Sequence, residues 1–299
     1  MAQIITNLAE AASLDRAALP FRPEPTMVLM CSPEHFEIKD VKNAFMAGNL
    51  GRVDLGEARR QWQALADTFE RLGHRVEVLA GEPGLEDMVF SANQVLPGMG
   101  EDGRPYVVLS QMRHESRRRE VPHYRRWFEA RGYRVLALDD PTLLFEGQGD
   151  AIWHPGRRLL WGGYGHRTSL ATYRELAGKL GVPVIALELP TPDFYHLDTC
   201  FCALDEETVL VYPEALTAEG LALVRRFFPN VIEATREDAF GAFACNATAL
   251  PGRKVVIQEG AEATTSRLRE AGFEVYEVET GEFIKSGGSV FCLKMMVYG

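Results

Sequence analysis

A short unit recurs five times along the chain: a helix-like stretch, a turn rich in basic residues or glycine, then an apolar strand. The copies are RLGHRVEVL from Arg71, ARGYRVLAL from Ala130, KLGVPVIAL from Lys179, FFPNVIEA from Phe227 and EAGFEVYEV from Glu270. At a period of roughly 45 to 60 residues no copy can bury its own apolar face, so the units must stack or close on one another. The unusual residues lie in other segments: DMVFSAN from Asp87, FEGQGD from Phe145, FYHLDTCF from Phe194, and SGGSVFC ending at Cys292.

The apolar spacing predicts strand, strand, helix, strand in each unit, hence an α/β body with strands inside and helices outside. The first unit takes a strand over 25–32, a helix over 56–73 and a strand over 76–79. The second takes strands near 88–90, 106–110 and 133–138 with a helix over 121–131. The third takes strands at 151–153, 159–162 and 182–187 around a helix over 168–180. The fourth has strands at 199–204, 208–211 and 231–234 with a helix over 217–228, and the fifth strands at 244–250, 254–258 and 274–278 with a helix over 261–271. A last apolar strand, 290–297, is expected to rejoin the first unit. The glycine-rich stretch 97–105 reads as a mobile surface segment or a long hairpin connection.

With 299 residues, a hydrophobic fraction of 46% and no flexible linker, the chain reads as one compact domain, 1–299. The N-terminus lacks a basic leader followed by an unbroken apolar core, and no apolar run is long enough for a membrane span, so a cytoplasmic protein is expected. A formal charge of −10 argues against nucleic acid as a partner. Five cysteines, an odd number, do not suggest a disulfide framework, and no second Cys/His pair completes a zinc set with Cys200 and Cys202. The sequence leaves open whether the chain forms a homo-oligomer.

Cys292 follows Ser286-Gly287-Gly288, and the paired glycines suit close approach of a substrate to a nucleophilic thiol. An apolar-flanked cysteine alone reads as packing. His196 and Asp198 stand two apart in a segment read as extended, so the carboxylate could orient or charge the imidazole. Glu146 and Asp150 flank Gly147-Gln148-Gly149, a turn that suits a cationic ligand or merely wants Gly and Asp. If the five units close around an axis, Asp87, Asn93, Glu146, His196, Asp198 and Cys292 share one pocket. A thiol, an imidazole and several carboxylates together describe covalent catalysis on a carbon bearing positive charge.

Seven motifs in order, MCSPEHFEIKDVKNAFM from Met30, DMVFSAN, FEGQGD, GYGHRTS from Gly163, FYHLDTCF, FACNA from Phe243 and SGGSVFCL, resemble the guanidino-group-modifying enzyme superfamily over nearly the whole chain. The resemblance is closest to the branch of arginine dihydrolases and dimethylargininase-like proteins. It implies the pentein fold, a five-bladed α/β-propeller of ββαβ units with pseudo-fivefold symmetry, and a guanidino amino acid such as arginine as ligand. It implies Cys292 as the nucleophile forming a thiouronium-type intermediate, and His196 as the group that protonates the leaving amine and then activates water. Glu146 and Asp198 would hold the guanidinium nitrogens and stabilise cationic His196. Arg117 and Arg167 fall where the family binds the α-carboxylate, Asp87 and Asn43 where it positions the amino-acid end or the guanidino group, and Phe90 is implied as a further substrate-binding residue. Asn93 stands where the deiminases carry a carboxylate. An amide offers both a donor and an acceptor, so it could hold a guanidinium and then a ureido group.

The leading expectation is therefore a hydrolase that converts arginine to ornithine, two ammonia and carbon dioxide. Single-step hydrolysis of dimethylarginine, arginine or citrulline is the alternative, and a non-catalytic binding protein on the same fold is the reading from another class. Gln148, in place of a small residue, is expected to narrow the pocket or add a donor. No metal or cofactor is implied: a thiolate, an imidazole and water suffice, and neither a GxGxxG turn nor a GxxxxGK loop is present.

Overall fold

In every unit a first strand pairs antiparallel with a second, and a helix carries the chain back so that the third pairs parallel with the second. The coordinates are a computed structural model, which describes residues 3–299. Five small sheets result among the described residues. Their first strands are Lys294–Val297, Val95–Met99, Ala151–Trp153, Phe201–Ala203 and Thr248–Leu250. The second strands are Met27–Cys31, Pro105–Leu109, Leu160–Tyr164, Thr208–Val211 and Lys254–Gln258. The third are Arg75–Leu79, Arg134–Leu136, Val184–Glu188, Asn230–Glu233 and Glu274–Val278. Ile4–Ile5 adds a fourth strand beside Val184–Glu188.

The first sheet is assembled from both ends of the sequence: Lys294 pairs with Met30 and Val297 with Met27. The final strand thus rejoins the first unit, as its apolar run predicts. All five residues of Met27–Cys31 are buried, whereas Arg75–Leu79 is exposed at Arg75 and Val78. A strand lying between two others reads as an unbroken apolar run, and its outer neighbour as a partly polar one.

The helices follow from the same patterning. Leu55–Arg71 starts at Asp54, whose carboxylate accepts from Glu57 N at 3.0 Å, and ends before Gly73 at φ +92°. Ala58, Trp62, Leu65 and Phe69 face one way and are buried. Burial of each of the three large side chains stabilises the packing by roughly 1.5–3 kcal/mol. The other crossover helices are Val121–Glu129, Leu170–Leu180, Ala218–Phe227 and Glu262–Glu270. No helix is long and apolar enough to cross a membrane among the described residues.

The second unit departs from the sequence reading. Glu86–Val89 is a 3-10 turn, and the first strand lies at Val95–Met99, overlapping the stretch read as a mobile loop. Pro97 and Gly98 have poor strand propensity, but packing overrides it. A Cβ on Gly98 would lie 2.3 Å from Tyr106 Cζ, so glycine is what lets the ring lie against the strand. Pro97 O accepts from Trp153 Nε1 at 2.8 Å, tying this strand to the next unit.

Candidate active site

The chemistry-bearing residues gather just ahead of the first strands. Asn93, Asn246 and Cys292 each precede their strand by two residues, while Glu146 and His196 lead into the first strands of the third and fourth units. One pocket is lined by Cys292, His196, Asn93, Asp87, Phe90, Asn43, Arg117 and Arg167. Glu146 and Asp198, each fully buried, sit directly behind His196 and Cys292.

Asn246 anchors the thiol. Its Oδ1 accepts from the backbone N–H groups of Ser289 at 3.0 Å, Phe291 at 3.1 Å and Cys292 at 3.2 Å. Its Nδ2 donates to Asp198 O at 3.0 Å and reaches Cys292 Sγ at 3.2 Å. The turn that supplies this side chain holds Phe243 at φ +47°, a left-handed conformation that costs energy in a residue other than glycine. Cys292 Sγ also stands 3.2 Å from Asp198 Oδ2. Burial, then the Asp198 charge, pushes the thiol well above its ordinary range, and burial pushes the Asp198 carboxyl up to about 7. The resting Cys292 is therefore a protonated thiol beside a carboxyl with an unpartnered Oδ1.

His196 Nε2 lies 2.7 Å from Glu146 Oε2. Burial lowers the imidazole to about 4, so it is neutral near pH 7. Burial alone would raise Glu146, but Arg167, 3.1 Å away, and His196 outweigh it and hold the carboxylate well below its usual range. An acceptor-only carboxylate facing Nε2 fixes the Nε2–H tautomer and leaves Nδ1 as a lone-pair acceptor with no protein partner among the described residues. A Cβ on Gly149 would come within 3.3 Å of that Nδ1 and 2.3 Å of Asn93 Nδ2, so Gly149 lets the two groups share a wall.

Asn93 is oriented with equal definiteness. Arg117 Nη1 donates to Asn93 Oδ1 at 3.0 Å, and a guanidinium cannot accept, so the amide oxygen is the atom that faces it. Nδ2 is buried without a partner. Arg117 is braced by Glu120 at 3.1 Å and by Asp87 O at 3.1 Å.

Several sequence expectations change here. Asp198 contacts the thiol and not the imidazole, because Leu197–Thr199 forms a 3-10 turn that breaks the extended geometry. Asp150 is no ligand-facing carboxylate: its oxygens accept from Thr168 Oγ1 at 2.6 Å and Leu197 N at 3.1 Å. Space at the paired glycines is filled by protein, since a Cβ on Gly288 would meet Phe90 at 2.5 Å and one on Gly287 would meet the Tyr195 hydroxyl at 2.7 Å. Gln148 leaves the pocket altogether and lines a separate cavity. Arg117 and Arg167 reach the pocket wall, but their nitrogens already hold Asn93, Glu120, Asp87 O, Glu146 and Lys42 O.

Two functional-looking residues escaped the sequence reading. Asn246 lies inside the quoted FACNA motif, and the cue was its place two residues ahead of a first strand, matching Asn93. Lys42 Nζ pairs with Asp87 Oδ2 at 3.1 Å, and its carbonyl accepts from Arg167 Nη2 at 3.0 Å. Asn43 caps the turn Ala44–Met46 and donates to Ser286 O at 2.9 Å. Lys42 and Asn43 both line the pocket, whose volume is about 20 Å³.

The sequence pattern of one family, described as N,N dimethylarginine dimethylhydrolase, eukaryotic, matches residues 32–298. The bifunctional arginine dihydrolase/ornithine cyclodeaminase AgrE of Nostoc sp. is 36% identical over 270 residues, 90% of this chain and 37% of that protein. The chain thus spans 37% of the length of this bifunctional relative. The N(G),N(G)-dimethylarginine dimethylaminohydrolase of Mycobacterium tuberculosis is 35% identical over 276 residues, 92% of this chain and 87% of the relative. Among solved structures, the product-bound N-terminal domain of ArgZ, an arginine dihydrolase from the ornithine-ammonia cycle in cyanobacteria, matches with a TM-score of 0.85 at 36% identity, covering 91% of this chain and 97% of that one. A dimethylarginine dimethylaminohydrolase structure at 20% identity, TM-score 0.76, shares the fold over 91% of this chain.

Proposed function

This chain belongs to the N,N dimethylarginine dimethylhydrolase family, and from that premise we propose that it hydrolyses arginine twice in one pocket, giving ornithine, two ammonia and carbon dioxide. The observation that carries the reading is the pinned amide of Asn93, which leaves Nδ2 a free N–H donor on a residue that lines the pocket, where the deiminases carry an acceptor-only carboxylate. A donor there stabilises a ureido oxygen, where a carboxylate would repel it. The similarity to the dihydrolases named above supports the same reading.

In this account the guanidinium brings the charge that the resting thiol lacks. Its N–H groups meet Asp198 Oδ1, and its positive charge beside Cys292 favours the thiolate. The thiol proton passes to His196 Nδ1, and the imidazolium is stabilised by Glu146 on its other nitrogen. Sulfur attacks the guanidinium carbon, His196 returns the proton to the departing nitrogen, and ammonia leaves a thiouronium-type adduct. His196, neutral again, takes a proton from water, which attacks the same carbon. Collapse of that adduct breaks the C–S bond and releases citrulline. The second round repeats these steps on the ureido carbon, with Asn93 Nδ2 donating to its oxygen, and ends in ornithine, ammonia and carbon dioxide.

The amino-acid end explains Lys42. Its ammonium occupies Asp87 as an α-ammonium would, and its carbonyl holds Arg167. A pocket of about 20 Å³ admits little more than one water, so substrate entry requires the segment around Lys42 and Asn43 to withdraw. Arg167 is then released toward the α-carboxylate, Asp87 takes the α-ammonium, Asn43 and Phe90 flank the aliphatic chain, and Arg117 serves mainly to hold Asn93. The five ββαβ units are read as the blades of one pentein propeller, a single domain over 1–299. Closure through Lys294–Val297 and the shared placement of site residues ahead of the first strands support this.

The family description and the M. tuberculosis relative favour a second reading, hydrolysis of dimethylarginine to citrulline and dimethylamine. Incubating the purified chain separately with arginine, citrulline and asymmetric dimethylarginine, and following products by mass spectrometry, separates the two. Ornithine with two ammonia per arginine supports the dihydrolase. Citrulline as the sole end product, or turnover of the methylated substrate alone, rejects it.

A further inference from the structure

A second cavity, of about 390 Å³, is lined from the first strands of four sheets, by residues within Ala151–Trp153, Phe201–Ala203, Thr248–Leu250 and Lys294–Val297. Its walls are largely apolar, with Ile152, Leu250 and Met296 among them. Lys294 is an exception: it is 2% exposed, and its Nζ lies 3.4 Å from the centroid of the Phe291 ring. Among the described residues it makes no salt bridge and no hydrogen bond through Nζ, and the charge of Asp198 reaches it only at longer range. Two further polar atoms on the same lining, Thr248 Oγ1 and Gln148 Oε1, are buried without partners. By contrast, charges at the rim are matched to one another, Arg22 with Glu24 at 2.8 Å, Arg157 with Glu206 at 2.8 Å and Arg253 with Asp205 at 2.8 Å.

An unpaired buried ammonium is costly, and its neighbours do little to offset that cost. Burial pulls Lys294 down only to about 8, so it remains mostly charged near neutral pH. Cys202, a neighbour in the lining, has its own thiol pushed up to about 12 by burial and offers no counter-charge there. A cation facing an apolar hollow together with a free hydroxyl is the arrangement that receives one anionic head and one hydrocarbon tail.

We propose that this cavity binds a carboxylate bearing a short apolar chain, with the carboxylate on Lys294 Nζ and the Thr248 hydroxyl, and the chain against Ile152, Leu250 and Met296. This cavity shares no lining residue with the thiol pocket, although the Lys294 charge reaches Asp198 and favours its carboxylate form.

The test is calorimetric titration of hexanoate into the Cys292→Ser protein, with and without arginine present. Saturable binding that arginine does not displace is expected, weakened at least tenfold in Lys294→Met and at least tenfold for acetate compared with hexanoate, with hexylammonium failing to bind. Should Lys294→Met not fold, Ala203→Trp fills the cavity while keeping the lysine, and it should abolish hexanoate binding. Absence of binding, binding unaffected by these variants, or displacement by arginine overturns the site. Acetate or inorganic phosphate binding as tightly as hexanoate overturns the ligand class.

Discussion

Two fully buried histidines in this molecule have opposite surroundings. His154 accepts from Trp161 Nε1 on Nδ1 at 3.1 Å and contacts Glu206 O through Nε2 at 3.0 Å, so both ring nitrogens are satisfied within a cluster that includes Phe228. His196 has one nitrogen on Glu146 and the other open beside Asn93. Burial lowers both, His154 to about 3 and His196 to about 4, so a shifted pKa does not tell them apart. The open nitrogen does. A core histidine spends its full hydrogen-bonding capacity on protein, whereas one able to move a proton keeps an acceptor in reserve.

Paired substitutions test that contrast most severely. His196→Ala and Cys292→Ser should each lower kcat for arginine by about a thousandfold or more, with the melting temperature nearly unchanged. His154→Ala should do the reverse, leaving kcat within a few-fold while costing about 3 kcal/mol in denaturant unfolding, because Trp161 Nε1 loses its acceptor and a cavity opens. A strongly inactive yet stable His154→Ala would break the comparison.

Asn246→Ala sharpens it on the sulfur side. Freed backbone N–H groups and a displaced thiol should lower kcat about a hundredfold with KM little changed, whereas a purely structural asparagine would show its loss in stability alone.

Much of this was legible beforehand, and the failures have local causes. The repeat exposed the strand–helix–strand order because each helix runs through a short turn into a largely apolar strand, and Lys294–Val297 returned to Met27–Cys31 as its pattern required. The strand at Pro97 and Gly98 was hidden because its stability comes from Tyr106 and Trp153, which propensity does not register. Cys292, His196 and Asn93, singled out through their motifs, line one pocket. Asp198 was linked to the wrong partner because a 3-10 turn replaces the strand assumed there. Gln148 was misplaced because Gly147, at φ +57°, turns the chain so that the side chain faces the other cavity. Asn246 was read as part of a strand over 244–250, but the strand starts only at Thr248, and the contacts of Asn246 with three backbone N–H groups reveal its hold on the thiol.

The resting thiol gives a gentler test. With Cys292 held protonated, neutral iodoacetamide should alkylate it slowly at pH 7, while cationic chloroacetamidine, which supplies the missing positive charge, should react at least tenfold faster. Equal rates would mean that the thiolate forms without a substrate-like cation.

Stability against pH yields the smallest effect and the same sign at both histidines. Each folded-state pKa lies below the ordinary 6.5, so the unfolded chain binds more protons at intermediate pH. The stability they contribute is present above about 6.5 and is lost as pH falls toward 4 at His196 and 3 at His154. Unfolding titrations of His196→Gln and His154→Gln should both show a shallower acid decline than the parent chain. Only the first should also lose activity.

The central claim is that Asn93, pinned by Arg117, admits the ureido group to a second hydrolysis. Supplying citrulline and arginine separately to the parent chain and to Asn93→Asp, and measuring ornithine release, tests it directly. The account predicts ornithine from either substrate in the parent, and in the variant arginine turnover that stops at citrulline, with no ornithine from citrulline. Ornithine formed by Asn93→Asp at the parent rate, or citrulline left untouched by the parent, would contradict it.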